Sequence, residues 1–214
     1  RIENAPDDPA LRVILLSAEG ENFCAGMDLM RVNEAGGAKP RAGDMQRRMP
    51  RGANRLIQAM LGVQIPIVCA VRGWASGLGC HLALASDFVV ASRSARFVEP
   101  FVARGFTPDS GATYLLQRLV GLTRAKQMLL LGRELGGEEA ERWGLVHQVV
   151  DDGDLEAASD ALVQQLAQAA TAEHVEVPED AARRLVGLGP QGLDGVEAHP
   201  GGRDLEPEPV DDDD

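Results

Sequence analysis

Residues 67–87, Ile67-Val68-Cys69-Ala70-Val71-Arg72-Gly73-Trp74-Ala75-Ser76-Gly77-Leu78-Gly79-Cys80-His81-Leu82-Ala83-Leu84-Ala85-Ser86-Asp87, decide the reading of the fold. The apolar run Ile67 to Val71 is short, β-branched and bounded by Pro66 and Gly73. Those features favour a buried strand over a helix. Gly73, Gly77 and Gly79 then allow the backbone to turn tightly and approach a ligand closely. Good helix formers follow from Leu82 to Ala85. A strand, a glycine turn and a helix start leave backbone N–H groups without internal partners, which suit a developing negative charge. Taken alone, this pattern fits a structural turn slightly better than a ligand site.

Working outward, Arg12 to Ala18 reads as another buried strand, followed by a turn at Glu19-Gly20-Glu21-Asn22. Phe23-Cys24-Ala25-Gly26-Met27-Asp28-Leu29 is a second glycine-centred segment after a strand. Residues 33–44 read as a mobile loop, and Arg51 to Leu61 as a helix. Further strands are expected at Phe88 to Ala91, Ala95 to Val98 and Leu145 to Val150. Helices are expected at Gly111 to Val120, Thr123 to Leu131 with Thr123 as N-cap, and Glu138 to Trp143. Asp154 is expected to cap a helix whose apolar stripe is Leu155, Leu162, Leu166 and Ala169. Strands and helices thus alternate at short intervals, the pattern of an α/β fold.

The chain of 214 residues has the size of one domain, and its 44% hydrophobic and 25% charged residues are those of a soluble globular protein. No apolar run approaches the roughly 20 residues of a membrane span, and no signal sequence opens the chain, so a cytoplasmic location is expected. Cys24, Cys69 and Cys80 lack metal-ligand spacing and read as buried free thiols in a reducing compartment; no metal site is expected. The net charge of −12 argues against nucleic acid or an anionic membrane as partner. Residues 171–214 carry −10 of it, with six Gly, five Pro and the terminal run Asp211 to Asp214. The expected organisation is therefore a folded domain over residues 1–170 and a disordered acidic tail over 171–214.

From Arg12 to Gln168 the residues resemble the crotonase family of enoyl-CoA hydratases and isomerases. The resemblance rests on Phe23 to Leu29, Gly73 to Asp87, Arg118-Leu119-Val120-Gly121 with Ala125-Lys126, and Ala140 to Val146, all in family order. It implies a crotonase-like spiral of ββα turns that binds a coenzyme A thioester. No separate cofactor is implied, because coenzyme A enters as part of the substrate. The implied oxyanion donors are the backbone N–H groups of Met27 and Leu78. Such donors stabilise an enolate by a few kcal/mol each. Cys24, Ala25, Gly26, Gly77 and Phe101 fall at acyl-CoA-binding positions. Family members form homotrimers or hexamers, and they begin with further strands and end with helices that have no counterpart in these residues.

Two glutamates activate water in the family's hydratases, and the matching positions here are His81 and Phe101. Phe101 cannot move a proton, and His81 near a helix N-terminus is expected to stay neutral. Glu99 reads as a solvated or structural charge with its side chain turned away. Thr107-Pro108-Asp109-Ser110-Gly111 resembles the Pro-Asp-Ser-Gly motif of family isomerases, in which the aspartate shuttles the proton. A single base suffices for an allylic shift, although Asp before Ser-Gly is also a common N-cap. The expected function is an acyl-CoA isomerase, on enoyl or ring-epoxide thioesters, with Asp109 as base and His81 assisting. The alternatives are an enoyl-CoA hydratase, an aryl-CoA dehalogenase with Asp109 as nucleophile, and a non-catalytic truncated member whose tail is a shifted reading frame.

Overall fold

The computed structural model describes residues 2, 5, 10–26, 52–169 and 182–186. The expected loop at 33–44 lies outside them. Strands β1 (Val13–Ser17), β2 (Ile67–Val71), β4 (Phe88–Ser92), β7 (Gln148–Val150) and β8 (Ala182–Val186) form a parallel sheet in the order β7-β4-β2-β1-β8. A smaller sheet of β3 (Trp74–Ser76), β5 (Arg96–Val98) and β6 (Leu135–Gly136) lies in the order β3-β5-β6. The helices are α1 (Ala53–Gly62), α2 (Leu78–Leu84), α3 (Ala112–Val120), α4 (Leu122–Leu131), α5 (Gly137–Trp143) and α6 (Leu155–Ala169).

The chain alternates between the two sheets. β2 of the large sheet leads to β3 of the small one and then to α2; β4 leads to β5 and then to α3. Before them β1 leads to Cys24, which bridges to Ala75 of β3, and then to α1. This is the ββα spiral implied by the resemblance, and the crotonase-like α/β expectation holds. β1 and β2 are buried at every residue because the sheet is covered on both faces, which is why they read as unbroken apolar runs. Val13, Leu15, Val68, Ala70 and Val90 pack with Leu155, Val163 and Ala167 of α6. Ile14, Leu16, Ile67, Cys69 and Val71 face the larger core with Ile57, Met60, Leu82 and Phe97. Burying a side chain of this size stabilises by about 1.5–3 kcal/mol.

Several local expectations are corrected. Trp74–Ser76, read as part of a turn, is a strand, because its backbone pairs with β5 and with Cys24. Helix α4 begins at Leu122 after Gly121, and no side chain caps it, so Thr123 lies inside the helix. The strand expected from Leu145 shortens to Gln148–Val150, while Leu145 and Val146 pack as core behind α5. On α6 the buried stripe runs through Leu155, Ser159, Val163 and Ala167, with Leu162 and Leu166 at its flank and Ala169 exposed. Within the stretch expected to lack structure, Ala182–Val186 pairs with β1 in parallel, Val13 opposite Ala182. Among the described residues no helix is long and apolar enough to cross a membrane.

Candidate active site

The site grows from a clamp between two loops. Cys24 donates its N–H to Trp74 O and accepts from Ser76 N–H, both at 2.9 Å, and Phe23 N–H donates to Arg72 O at 2.8 Å. These bonds lay the Phe23–Gly26 loop along β3 and against the head of α2. Two glycines make the approach feasible. A Cβ on Gly79 would stand 2.2 Å from Cys24 O, and one on Gly26, whose φ is +86°, would stand 2.6 Å from Ser76 O. That point at Gly26 is also 3.6 Å from Leu78 N, so the first loop ends beside the first amide of α2.

Gly77 precedes α2 with φ 52° and ψ −116°, and its N–H donates to Val98 O at 3.0 Å. Leu78 opens the helix with its side chain buried, and its N–H donates to no acceptor among the described residues. Ile67 and Asp87 close the segment on itself: Asp87 N–H donates to Ile67 O at 2.9 Å, and Ile67 N–H donates to the Asp87 carboxylate at 2.8 Å.

His81, the fourth residue of α2, is fully buried, and its Nε2 lies 3.1 Å from Glu99 Oε2. Its ring stacks on Phe101, with centroids 5.8 Å apart and planes within 4°. Of the two readings of Glu99, a solvated or a structural charge, the solvated one is overturned: Glu99 is 0% exposed. It sits just beyond β5 and two residues after the buried Phe97, so the two-residue period turns both inward. That alternation was readable in the sequence. Burial, with the Glu99 charge beside it, pushes the Cys80 thiol well above its ordinary range. Burial raises Cys69 and Cys24 as well. All three cysteines are free and buried, as packing residues should be.

Asp109 is exposed, and its carboxylate has no partner among the described residues. Its carbonyl accepts from Ala112 N–H at 2.9 Å, yet no side chain caps α3, which follows Gly111. The N-cap explanation for Asp109 is therefore not the arrangement found. Ser110 has φ +44°, a left-handed conformation that costs energy for a residue with a Cβ. α3, which follows the Asp109 turn, packs against α2, the helix that carries Leu78 and His81.

The fold thus brings Cys24, Gly26, Gly77 and Leu78 to one place and puts Phe101 on His81. Ala25 is exposed at the edge of the loop. Met27, the other expected oxyanion donor, lies outside the described residues. Among the described residues one surface cleft lies beside Arg72 and Glu156, next to Phe23 of the clamp, and another, of about 200 Å³, beside Phe88 and His147.

Residues 1–191 match the family model described as enoyl-CoA hydratase/isomerase. The chain is 41% identical over 161 residues to a 1,2-epoxyphenylacetyl-CoA isomerase of Escherichia coli K12, covering 75% of this chain and 60% of that protein. It is 38% identical over 168 residues to a carnitinyl-CoA dehydratase of the same organism, covering 78% of this chain and 62% of that protein. The crystal structure of an enoyl-CoA hydratase from Bacillus anthracis superposes with a TM-score of 0.70 at 30% identity, over 78% of this chain and 62% of that one. The chain spans about 60% of the length of the curated relatives it matches.

Proposed function

The chain belongs to the enoyl-CoA hydratase/isomerase family, and from that premise we propose that it is an acyl-CoA thioester isomerase, of enoyl or ring-epoxide type. The thioester oxygen is held by the backbone N–H groups of Leu78 and Met27, and Asp109 moves the proton. The observation that carries the reading is the clamp that sets the Cys24–Gly26 loop against the Leu78 N–H, which has no acceptor among the described residues. Withdrawing a proton from the carbon beside a thioester builds charge on the carbonyl oxygen. One well-placed donor lowers that barrier by about 3 kcal/mol. Asp109 is supported as base by a carboxylate that has no partner among the described residues and by the left-handed Ser110 behind it. His81 and Phe101 stand as the wall along the acyl chain, and Cys24, Ala25, Gly26 and Gly77 as the backbone floor.

The test is a panel of 2- and 3-enoyl-CoA thioesters incubated in heavy water. The wild type moves the double bond and takes up α-deuterium, and Asp109→Asn slows both by about 10²-fold or more. An Asp109→Asn enzyme that keeps both rates removes Asp109 as the base. Hydration is the second reading, favoured by the Glu99 carboxylate against His81. Loss of 2-enoyl-CoA absorbance with addition of water would select it. The family resemblance further supports a cytoplasmic homotrimer or hexamer.

A further inference from the structure

We propose that Glu99 is the positioning residue of His81. By accepting the Nε2–H it fixes one tautomer and one ring orientation, and it leaves Nδ1 as a bare acceptor for an O–H group at the acyl site. The inference rests on the reading of Leu78 as a thioester-oxygen donor.

The two side chains are fully enclosed and 3.1 Å apart. Glu99 at its Nε2 edge and Phe101 stacked on its face hold the orientation of the imidazole. Two polar atoms of the pair, His81 Nδ1 and Glu99 Oε1, are buried without a hydrogen-bond partner among the described residues. Enclosed polar atoms are nearly always paired, so an unpaired one asks for a ligand. A bare nitrogen is also a smaller loss than an enclosed N–H with no acceptor, which selects the tautomer protonated at Nε2. A carboxylate behind the protonated nitrogen of an imidazole strengthens the other nitrogen as acceptor.

The placement follows from the helix. His81 is three residues after Leu78, about 4.5 Å along the axis. Its Cα–Cβ bond leans back toward the helix N-terminus, so the ring lies over the turn that Leu78 opens. An acyl group whose thioester oxygen sits on Leu78 N–H runs past that ring. The matching chemistry is an O–H donor, carried by the acyl chain or by a water beside it.

Nitrogen-15 NMR of histidine-labelled full chain reads the tautomer directly. We expect His81 protonated at Nε2 in the wild type and a mixture in Glu99→Gln, whose amide can donate as well as accept. Glu99→Gln should lower kcat by about tenfold or more and leave KM within about twofold, because the contact is to the acyl group and not to coenzyme A. The double variant His81→Leu with Glu99→Met leaves no unpaired buried atom, so it should melt like the wild type and still show the loss in kcat. It carries the test if Glu99→Gln does not fold.

Calorimetry with 3-hydroxybutyryl-CoA against butyryl-CoA separates the sources. A preference of about fivefold or more that the double variant loses places the O–H on the acyl chain; equal binding places it on water. A His81 protonated at Nδ1 overturns the proposal, as does wild-type kcat in both variants. A wild type that turns over no thioester refutes the isomerase reading; the tautomer measurement needs no substrate and still decides the role of Glu99.

Discussion

Gly79→Ala sets two physical effects against each other, and the clamp decides the sign. Gly79 has no positive φ, so a methyl group there meets no backbone strain. On helix propensity alone the change stabilises by about 1 kcal/mol. The new Cβ, however, would sit 2.2 Å from Cys24 O and 2.7 Å from Cys24 Cβ, where ordinary contact begins at 3.4 Å. The obstacle is main chain, so the Cys24 loop must retreat by roughly 1 Å. Retreat strains or breaks the bond that Cys24 O accepts from Ser76 N–H at 2.9 Å. Overpacking costs about 1–3 kcal/mol and a lost buried hydrogen bond about 1 kcal/mol more. The net is a loss of about 1–3 kcal/mol, a fall in Tm of roughly 2–10 °C for a chain of this size. If Met27 is the second oxyanion donor, as the proposed function has it, a displacement of that size in the loop before it also lowers α-proton exchange by about 10²-fold. Calorimetric melting and exchange of a saturated acyl-CoA in heavy water read the two effects. A Gly79→Ala protein with a raised Tm and unchanged exchange would refute the reasoning.

Gly26→Ala meets Ser76 O at 2.6 Å and also needs a φ of +86°, so it should destabilise more than Gly79→Ala under the same melting assay. Burial raises the Cys69 and Cys80 thiols, which therefore stay protonated and shielded; iodoacetamide at about pH 8.5 should leave both unlabelled in the native chain and label both in denaturant. Asp152 accepts from Ser94 N–H at 3.1 Å, and this bond, with the Ser92 hydroxyl, holds its carboxyl below the ordinary value of 3.8. Its contribution to stability is complete above that value and is lost as pH falls through the lower folded one, so Asp152→Asn should flatten the acid limb of a melting curve followed from about pH 5 to 2.

Strand and helix placement was largely legible because burial on both faces leaves unbroken apolar runs such as Val13–Ser17 and Ile67–Val71. Trp74–Ser76 was not, since three residues carry too little period and their pairing depends on Cys24, some fifty residues away. The strand at Ala182–Val186 was hidden in a similar way, by polar and glycine-rich surroundings whose pairing with β1 is long-range. The clamp was half legible. Gly73, Gly77 and Gly79 announced a close approach to a ligand, but only the fold shows that the approach at Gly79 is by Cys24. Glu99 was misjudged because a charged residue is assumed to seek water. Its partner His81 lies 18 residues back on another element.

Under the proposed function, the clamped loops at Leu78 hold the oxygen of an acyl-CoA thioester. Titration calorimetry of the purified chain with acetoacetyl-CoA tests it most directly, since that thioester enolises readily and places negative charge on the oxygen the site is meant to hold. The wild type should bind it saturably, and Gly79→Ala should bind it more weakly by about tenfold or more. Absence of binding to a folded wild type, or equal binding to both proteins, would contradict it.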